Sequence, residues 1–289
     1  WVWIPVRLRK TDINYINKYW VACEDKSAPT LEKIHNKYYL RFSFTETVTL
    51  SDTPIAEQII CAVDLGINTD AVCSIMKADG TILARKFIDF ASDKDRMVHA
   101  MNRTRRKQSK YGPKSARGLW TYVKRLNEDR AKKISAAIVE FASQHSVDAI
   151  VMEHLDFKGC KKRGSKAQRL SMWNHGIIRE KVEQKAHLLG IRIATICAWK
   201  TSALAFDGSG SVTRDDNNHA LATFTTGKQY NCDLSASYNI GARYFIRELL
   251  KSLPATEESR VKAKVPDAGR RTSCTLSTLR ALVKELSAA

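Results

Sequence analysis

Three acidic residues of this chain, Asp64, Glu153 and Asp233, stand in sequence contexts that suit chemically active carboxylates. Asp64 ends the apolar run IICAV at 59–63, which predicts a buried strand. An unpaired carboxylate buried there costs several kcal/mol or takes up a proton. A divalent cation removes that cost, because hard cations prefer oxygen ligands. The context of Asp64 therefore points to a metal site.

Glu153 likewise ends a strand pattern, DAIVMEHL at 148–155, and Asp233 opens a helical pattern at 233–250. We expect Asp233 at the N-cap or in the first turn, where the helix dipole favours acids. Each acid alone has a simpler explanation, as a turn former or a helix cap. Together they predict one site in which two Mg²⁺ ions, about 4 Å apart, support phosphodiester hydrolysis. Asp64, Glu153 and Asp233 are thus the expected catalytic residues and metal ligands.

The charge of the chain points to its partners. The 289 residues carry a formal net charge of +18, with a sequence pI near 9.7. With 44% hydrophobic residues, the chain can bury the core of one large domain or of two ordinary ones. Such an excess of cations favours a polyanionic partner, for which nucleic acid is the first candidate. The alternative is a basic surface that binds nothing.

The cations cluster in a helical stretch at 102–133 and in a glycine-containing loop at 158–169. Trp120 and Tyr122 are interleaved with the first cluster. Cations bind phosphates and aromatic rings stack on bases, so both clusters are candidate nucleic-acid contacts. A solvated helix face with at least one inward-packed ring is the alternative. The candidate residues are Arg103, Arg105, Arg106, Lys107, Lys110, Lys124, Arg125, Lys161, Lys162 and Arg163.

The seven cysteines are odd in number and include no C-x-x-C pair, which fits reduced thiols in an intracellular protein. No apolar run reaches the ~18 residues of a membrane span, and no signal peptide is visible. We therefore expect a cytoplasmic protein without a membrane partner. The chain begins at Trp1 without a methionine, so we expect that an N-terminal part is missing.

The hydrophobic patterns predict a small antiparallel β segment at 1–57, followed by an α/β region. Alternation at 1–8 and 38–49 predicts strands of the small segment. Three successive strands follow, with Asp79-Gly80 as a hairpin turn. By analogy at the level of the fold, such a meander with an acid at the end of its first strand resembles the opening of an RNase H-like sheet. The other predicted elements are strands 59–65, 71–77, 81–90, 148–155 and 191–197, two helices within 92–145, and helices 173–189, 233–250 and 276–286.

Three segments resemble the RuvC motifs of transposon-encoded TnpB nucleases and type V CRISPR effectors. They are DLGINTDAV at 64–72, VMEHLDF at 151–157 and DLSASYNIGARY at 233–244. The third is similar to the family's D-x-N-A-A-x-N-I pattern, with Ser235 replacing the usual Asn and Asn239 retained. The order of the motifs also resembles the family, as does the K-T-S tripeptide at 200–202, between the second and third motifs. The likeness extends over 59–250, and 1–57 is similar to the last strands of the family's wedge domain.

The resemblance implies an α/β fold with an RNase H-like (RuvC) mixed sheet flanked by helices. It also implies an RNA-guided DNA endonuclease of a prokaryotic cytoplasm, with guide RNA, target DNA and Mg²⁺ as partners and cofactor. Arg214 lies where family members often have an arginine near the scissile strand. The implied division is a wedge-like end at 1–57, a nuclease domain at 58–198 with a basic insertion at 92–145, a target-strand loading subdomain at 199–232, the third-motif helix at 233–252 and a basic tail at 253–289.

One departure from the family concerns zinc. TnpB-like proteins usually carry a zinc ribbon between the second and third motifs, but Ala203, Phe206, Thr226 and Gln229 stand where cysteines are expected. Cys232 alone cannot supply the four ligands of a zinc site. We therefore expect a zinc-free subdomain that is held together by ordinary packing.

Two other functions are compatible with the same residues. A stand-alone RuvC-type resolvase would cut branched DNA as a dimer and without guide RNA. A nuclease-dead module would only bind nucleic acid, although three intact acids argue against it. A homodimer also stays open for the guided nuclease, because the sequence does not say whether one or two copies act per guide.

Overall fold

The computed structural model describes residues 5–155, 172–215 and 218–288. The chain divides into two compact units, Trp1–Thr49 and Leu50–Ala289, each with its own architecture. Among the described helices, none is both long and apolar enough to cross a membrane. The cysteines that the structure describes are all free thiols.

The first unit contains a short helix and an antiparallel hairpin. The hairpin turns at His35 and Asn36, whose φ angles of 45° and 61° are left-handed, as its two-residue turn requires. The elements are α1 (Lys10–Tyr15), a following π-helical turn (Ile16–Val21), β1 (Thr30–Ile34) and β2 (Lys37–Arg41).

Two predictions for this unit need correction. The strand expected at 1–8 is wrong for the described residues 5–8, which form no strand. Pro5 has no N–H for a ladder, and the Arg9 N–H donates to the Asp12 carboxylate (3.2 Å) at the start of α1. The strand expected at 38–49 ends at Arg41, and beyond it Phe44 forms an isolated bridge. The apolar alternation thus continues past the end of the partner strand.

A five-stranded mixed sheet organises the second unit. Its strands are β3 (Ile59–Asp64), β4 (Ala71–Lys77), β5 (Ile82–Ile88), β6 (Ala149–His154) and β7 (Arg192–Cys197). Their order is β5-β4-β3-β6-β7. β3, β4 and β5 are antiparallel neighbours, whereas β3 pairs with β6 and β6 with β7 in parallel. An antiparallel meander that continues into parallel strands is the RNase H-like arrangement, so the predicted fold class is confirmed.

Helices cover both faces of this sheet. Those described in the second unit are α2 (Ala91–Tyr111), α3 (Arg117–Gln144), α4 (His175–His187), α5 (Cys232–Ser252), α6 (Ala255–Lys264) and α7 (Leu276–Ser287). α3 and α4 share a core with Val63 and Met152, and α5 and α7 share another with Ala62 and Val151. Because strand side chains alternate between faces, neighbouring residues of one strand meet different helix layers.

α5 lies unusually close to the sheet at Gly241. A Cβ at this position would lie 2.9 Å from Met76 Cε and 3.2 Å from Ala62 Cβ, which leaves little room for a larger residue. This close approach fixes α5 against β3 and β4. The first turn of α5 reaches the loop after β3, where Thr69 hydrogen-bonds Asp233.

The sequence patterns located most elements of this unit. β4 occupies the predicted residues, and Gly80 in the predicted hairpin turn has a φ of 81°. The two helices expected within 92–145 are α2 and α3, with a 3₁₀ turn at Pro113–Ala116 between them. The tail holds α6 in addition to the predicted last helix, so it contains two helices rather than one.

Residues 199–232, expected as an inserted loop or small subdomain, contain a three-stranded antiparallel sheet. Its strands are β8 (Thr213–Arg214), β9 (Leu221–Thr223) and β10 (Gln229–Asn231). Phe206, at one of the positions where a cysteine was expected, packs edge-on against Phe224, Tyr230 and Tyr238, with ring centroids 5.5, 4.9 and 5.3 Å away. Aromatic packing therefore forms the centre of this subdomain.

Candidate active site

Strand register brings Asp64 and Glu153 together. Val63 of β3 pairs with Met152 of β6 in the parallel ladder, and the two acids are the next residue on each strand. Alternation along a strand directs Asp64 to the same face as Ala62, and Glu153 to the same face as Val151. That face is the one covered by α5. Both carboxylates therefore emerge at the carboxyl ends of neighbouring strands, under one helix.

α5 supplies the third acid. Its N-cap is Asn231, whose side-chain oxygen accepts a hydrogen bond of 2.8 Å from the Leu234 N–H. Asp233 therefore lies in the first turn, one of the two positions expected for it. The unpaired N–H groups and the dipole at a helix N-terminus favour negative charge there. The three predicted acids thus come from β3, β6 and the start of α5.

The charges of these acids act on one another. Burial raises the pKa of Asp64 well above its ordinary value, and the negative charges of Glu153 and Asp233 raise it further. The Arg214 guanidinium opposes these effects and lowers the pKa of Asp64. The three carboxylates therefore share one electrostatic environment that is short of positive charge.

Glu153 and Asp233 are held by polar neighbours. Burial raises the pKa of Glu153. Two neighbours lower it: the Thr201 hydroxyl, which donates to the Glu153 carboxylate, and the positive charge of Arg243. Burial also raises the pKa of Asp233, whereas the charge of Arg214 and a hydrogen bond from Thr69 lower it. These donors favour the ionised carboxylates, which are the forms that bind cations.

Arg214, a candidate nucleic-acid contact, lies within reach of this acidic site. It is an exposed residue on β8, and its guanidinium donates to the Ser202 hydroxyl oxygen (2.8 Å). Its positive charge lowers the pKa of both Asp64 and Asp233. A cation in this position can attract a phosphate toward the acids.

Thr201 and Asn239 form a support behind Glu153 that the site prediction lacked. The buried Asn239 amide donates to the carbonyl oxygens of Thr201 and Leu204, both at 2.9 Å. The Thr201 side chain in turn donates to Glu153. The K-T-S tripeptide and the retained Asn of the third motif were the available signals. α5 thereby orients Glu153 through the turn after β7.

Arg243 is a second residue missed from the sequence. Its buried guanidinium donates to four backbone carbonyls, at distances of 2.8 to 3.2 Å. These carbonyls join the end of β7 to the segment before α7, and the charge of Arg243 also lowers the pKa of Glu153. The sequence carries no local signal for such a long-range contact. The accepting residues are Cys197, Trp199, Thr272 and Cys274.

The carboxylates of Asp64, Glu153 and Asp233 can supply only some of the ligands that a Mg²⁺ ion needs. In the described parts of the chain, no three His, Cys, Asp or Glu side chains are close enough to hold a metal ion by themselves. Mg²⁺ is commonly bound through one or two carboxylates, with waters and substrate phosphates as the other ligands. Asp64 with Glu153 or Asp233 can supply such carboxylates, and a cation there would oppose the burial and the neighbouring negative charges that raise the pKa of Asp64.

The candidate cations of α2 and α3 are exposed. Those at positions 103, 106, 107 and 110 recur with helical spacing and form one face of α2, whereas Arg105 points to another side. Lys110 lies over the Tyr111 ring (5.1 Å to the centroid). Lys124 lies 3.9 Å from Glu128, and both are exposed enough for that pair to be weak. Lys161, Lys162 and Arg163 lie outside the described residues.

Two other cations of the basic stretch have structural partners. The buried Arg130 donates to the buried Asp70 carboxylate, which also accepts from the Phe90 N–H (2.9 Å). Lys133 forms ion pairs with Asp93 (2.8 Å) and Asp129 (3.0 Å). Arg130 and Lys133 therefore fasten α3 to neighbouring elements, and the stretch 102–133 is not uniformly available to a nucleic acid.

The chain is similar to solved structures of CRISPR effectors and of RuvC. A Cas12f1–sgRNA–target DNA complex has a TM-score of 0.48 and 17% identity, over 73% of this chain and 54% of the Cas12f1 chain. An AacC2c1–sgRNA complex has a TM-score of 0.48 and 10% identity, over 65% of this chain and 39% of the other. Thermus thermophilus RuvC with a Holliday junction has a TM-score of 0.36 and 11% identity, over 67% of this chain and 96% of the RuvC chain.

No protein-family model and no curated protein matches the chain. It spans about half the length of the Cas12f1 chain, at 54%. Because these identities and TM-scores are low, the fold assignment rests on the strand order and register of the sheet itself.

Proposed function

We propose that the chain is the nuclease portion of an RNA-guided DNA endonuclease that hydrolyses phosphodiester bonds at Asp64, Glu153 and Asp233. One observation carries this proposal: acids from two strands and a helix, far apart in sequence, influence one another at a single edge of an RNase H-like sheet. Asp70, by contrast, is a buried carboxylate with a structural role, and it is paired directly with Arg130.

The three acids would hold two Mg²⁺ ions. Asp64 would bind both ions, Glu153 one and Asp233 the other. When bound, such ions lower the pKa of a water and stabilise the leaving oxygen. Glu153, fixed by Thr201, would orient the attacking water, and Arg214 would attract the scissile phosphate. The N-terminus of α5 would favour the ionised form of Asp233 against the effect of burial.

Guide dependence is supported by the order of the three motifs and by the exposed cations of α2 and α3. In such a nuclease, base pairing with the guide supplies sequence specificity, while the protein binds backbone phosphates. The cations at 103, 106, 107 and 110, all on one face of α2, suit that task. Arg105, Lys124 and Arg125 would add contacts on other faces.

The experiment is to sequence the RNA that copurifies with the full-length protein expressed from its native locus. A discrete RNA with a constant scaffold and a variable end is expected, and Mg²⁺-dependent cutting of the matching DNA should follow. Random host fragments, or no RNA, would contradict guide dependence and favour a stand-alone junction nuclease. Branched DNA and the oligomeric state would then be tested, since a resolvase cuts as a dimer.

A further inference from the structure

Trp199 is an exposed aromatic residue in a turn that also contacts the candidate active site. It lies in the turn after β7, the strand on which Ile196 pairs with Glu153. The residue is 65% exposed. A single exposed apolar residue is ordinary in itself. The position and rigidity of this one set it apart.

The backbone of Trp199 is fixed although the residue is largely exposed. The buried Arg243 donates to the carbonyl oxygens of Trp199 (2.8 Å) and Cys197 (2.9 Å). Lys200, the next residue, has a left-handed φ of 60°, so the chain turns sharply there. An indole on such an anchored turn has few rotatable bonds left to order when it binds a ligand.

The same turn contacts the catalytic carboxylates. The Thr201 hydroxyl donates to Glu153, and the Ser202 hydroxyl oxygen accepts from Arg214. Two residues of chain span about 7 Å at most, so the Trp199 backbone lies close to the acidic site. The exposed Lys200 adds a positive charge to this turn. An exposed aromatic residue in a turn that also holds Lys200 and contacts Glu153 through Thr201 suits one nucleotide of a single strand.

We propose that the Trp199 indole stacks on a nucleobase of the single strand whose phosphodiester bond lies at Asp64 and Glu153. The proposal rests on the function proposed above. Stacking of this kind accepts any base, because every base has an aromatic face. It would hold the strand in register with the carboxylates while Lys200 and Arg214 contact phosphates.

Binding without metal tests this subsite independently of cutting. Affinities of the 289-residue chain are measured in EDTA for an oligothymidylate and for an abasic oligomer with the same number of phosphates. Trp199→Ala should weaken oligothymidylate binding about tenfold and leave abasic binding unchanged, while Trp199→Phe should retain most of the preference. Leu188→Ala, which removes a side chain of a residue 62% exposed, is the control and should change neither affinity.

Equal losses for both oligomers, or no loss for either, would overturn the proposal even if the protein proves to be a nuclease. Matching melting temperatures of the variants will verify that they are folded. In the full-length guided complex, an abasic nucleotide next to the cut should slow the wild type about tenfold and leave Trp199→Ala unaffected. If no nuclease activity exists, the metal-free comparison still decides whether Trp199 binds bases.

Discussion

Asp64 and Glu153 occupy equivalent positions on neighbouring parallel strands, each one residue beyond the paired Val63 and Met152. Their side chains therefore emerge on one face, where two negative charges repel each other. Burial and this repulsion raise the pKa of Asp64. A fold that keeps two such carboxylates side by side loses stability unless a cation compensates them. The arrangement supports the proposed cation-dependent function.

Replacing Asp64 with Asn should abolish DNA cutting, with a loss of several orders of magnitude, because Asn keeps the shape but removes the anionic ligand. Binding of RNA and DNA should stay within about twofold, since most of the proposed phosphate contacts lie on α2 and α3. Cleavage rates and filter-binding affinities of the full-length complex measure the two effects.

The matched control for this change is Asp79→Asn, in the turn between β4 and β5. Asp79 accepts a hydrogen bond from the Thr81 N–H (2.8 Å) and lies at the opposite end of the sheet. The Asp79→Asn protein should cut DNA at the wild-type rate. Retained cutting by the Asp64→Asn protein would remove Asp64 from the catalytic set.

The raised pKa of Asp64 predicts a pH-dependent stability. Between its unfolded value of 3.8 and its higher folded value, the folded chain keeps a proton that the unfolded chain has released. The contribution of Asp64 to the free energy of unfolding is therefore fully present below its unfolded pKa and is lost as the pH rises through its folded pKa. In EDTA, Asp64→Asn should therefore melt a few degrees above the wild type at neutral pH, with no difference below about pH 4.

Added Mg²⁺ should raise the melting temperature of the wild type at neutral pH, because an ion that binds only the folded state stabilises it. The Asp64→Asn protein should respond much less. Calorimetry across the pH range, with and without Mg²⁺, measures both effects. A neutral-pH wild type more stable than Asp64→Asn in EDTA would contradict the direction of this pKa shift.

The Thr201 hydroxyl predicts a positioning effect on catalysis. Thr201→Val removes the hydrogen bond to Glu153 while preserving the shape of the side chain. Loss of such a supporting contact commonly costs about 10- to 100-fold in activity or metal affinity. We expect kcat to fall within that range with KM for DNA unchanged, and Thr201→Ser to recover most of it.

Thr225→Val is the matched control, because the Thr225 hydroxyl donates to the Ser209 carbonyl in the same subdomain. It should leave kcat unchanged. A Mg²⁺ titration distinguishes the two ways in which Thr201 can act: recovery at high Mg²⁺ indicates metal affinity, and a persistent deficit indicates the orientation of Glu153. Wild-type kcat for Thr201→Val at every Mg²⁺ concentration would exclude a positioning role.

The parts of this molecule that were predictable are those set by local pattern. The apolar runs before Asp64 and Glu153 locate β3 and β6, because buried strands of a mixed sheet consist of continuous apolar residues. The acids at their ends stand out against that background. The RNase H-like order then follows from the meander and the parallel crossover.

The parts that were not predictable depend on contacts between distant residues. Arg243 is indistinguishable in sequence from a surface arginine, yet it bonds Cys274 and Cys197 across the fold. Arg130 belongs to the basic stretch, but Asp70 draws it inward. In the first unit, alternation at 1–8 suggested a strand where no partner strand is available among the described residues. Such pairings are determined by tertiary geometry, which local periodicity does not encode.

The exposed face of α2 predicts a salt-dependent affinity. Each phosphate contact of a cation with duplex DNA contributes about 0.9 to the slope of log affinity against log salt concentration. Replacing the cations at 103, 106, 107 and 110 with Gln should therefore reduce that slope by about 3 to 4 if all four contact phosphates. Lys133→Gln, whose ammonium is paired with Asp93 and Asp129, should lower stability slightly and leave the slope unchanged. Binding titrations across a salt series measure this, and an unchanged slope in the fourfold variant would make α2 a solvated face.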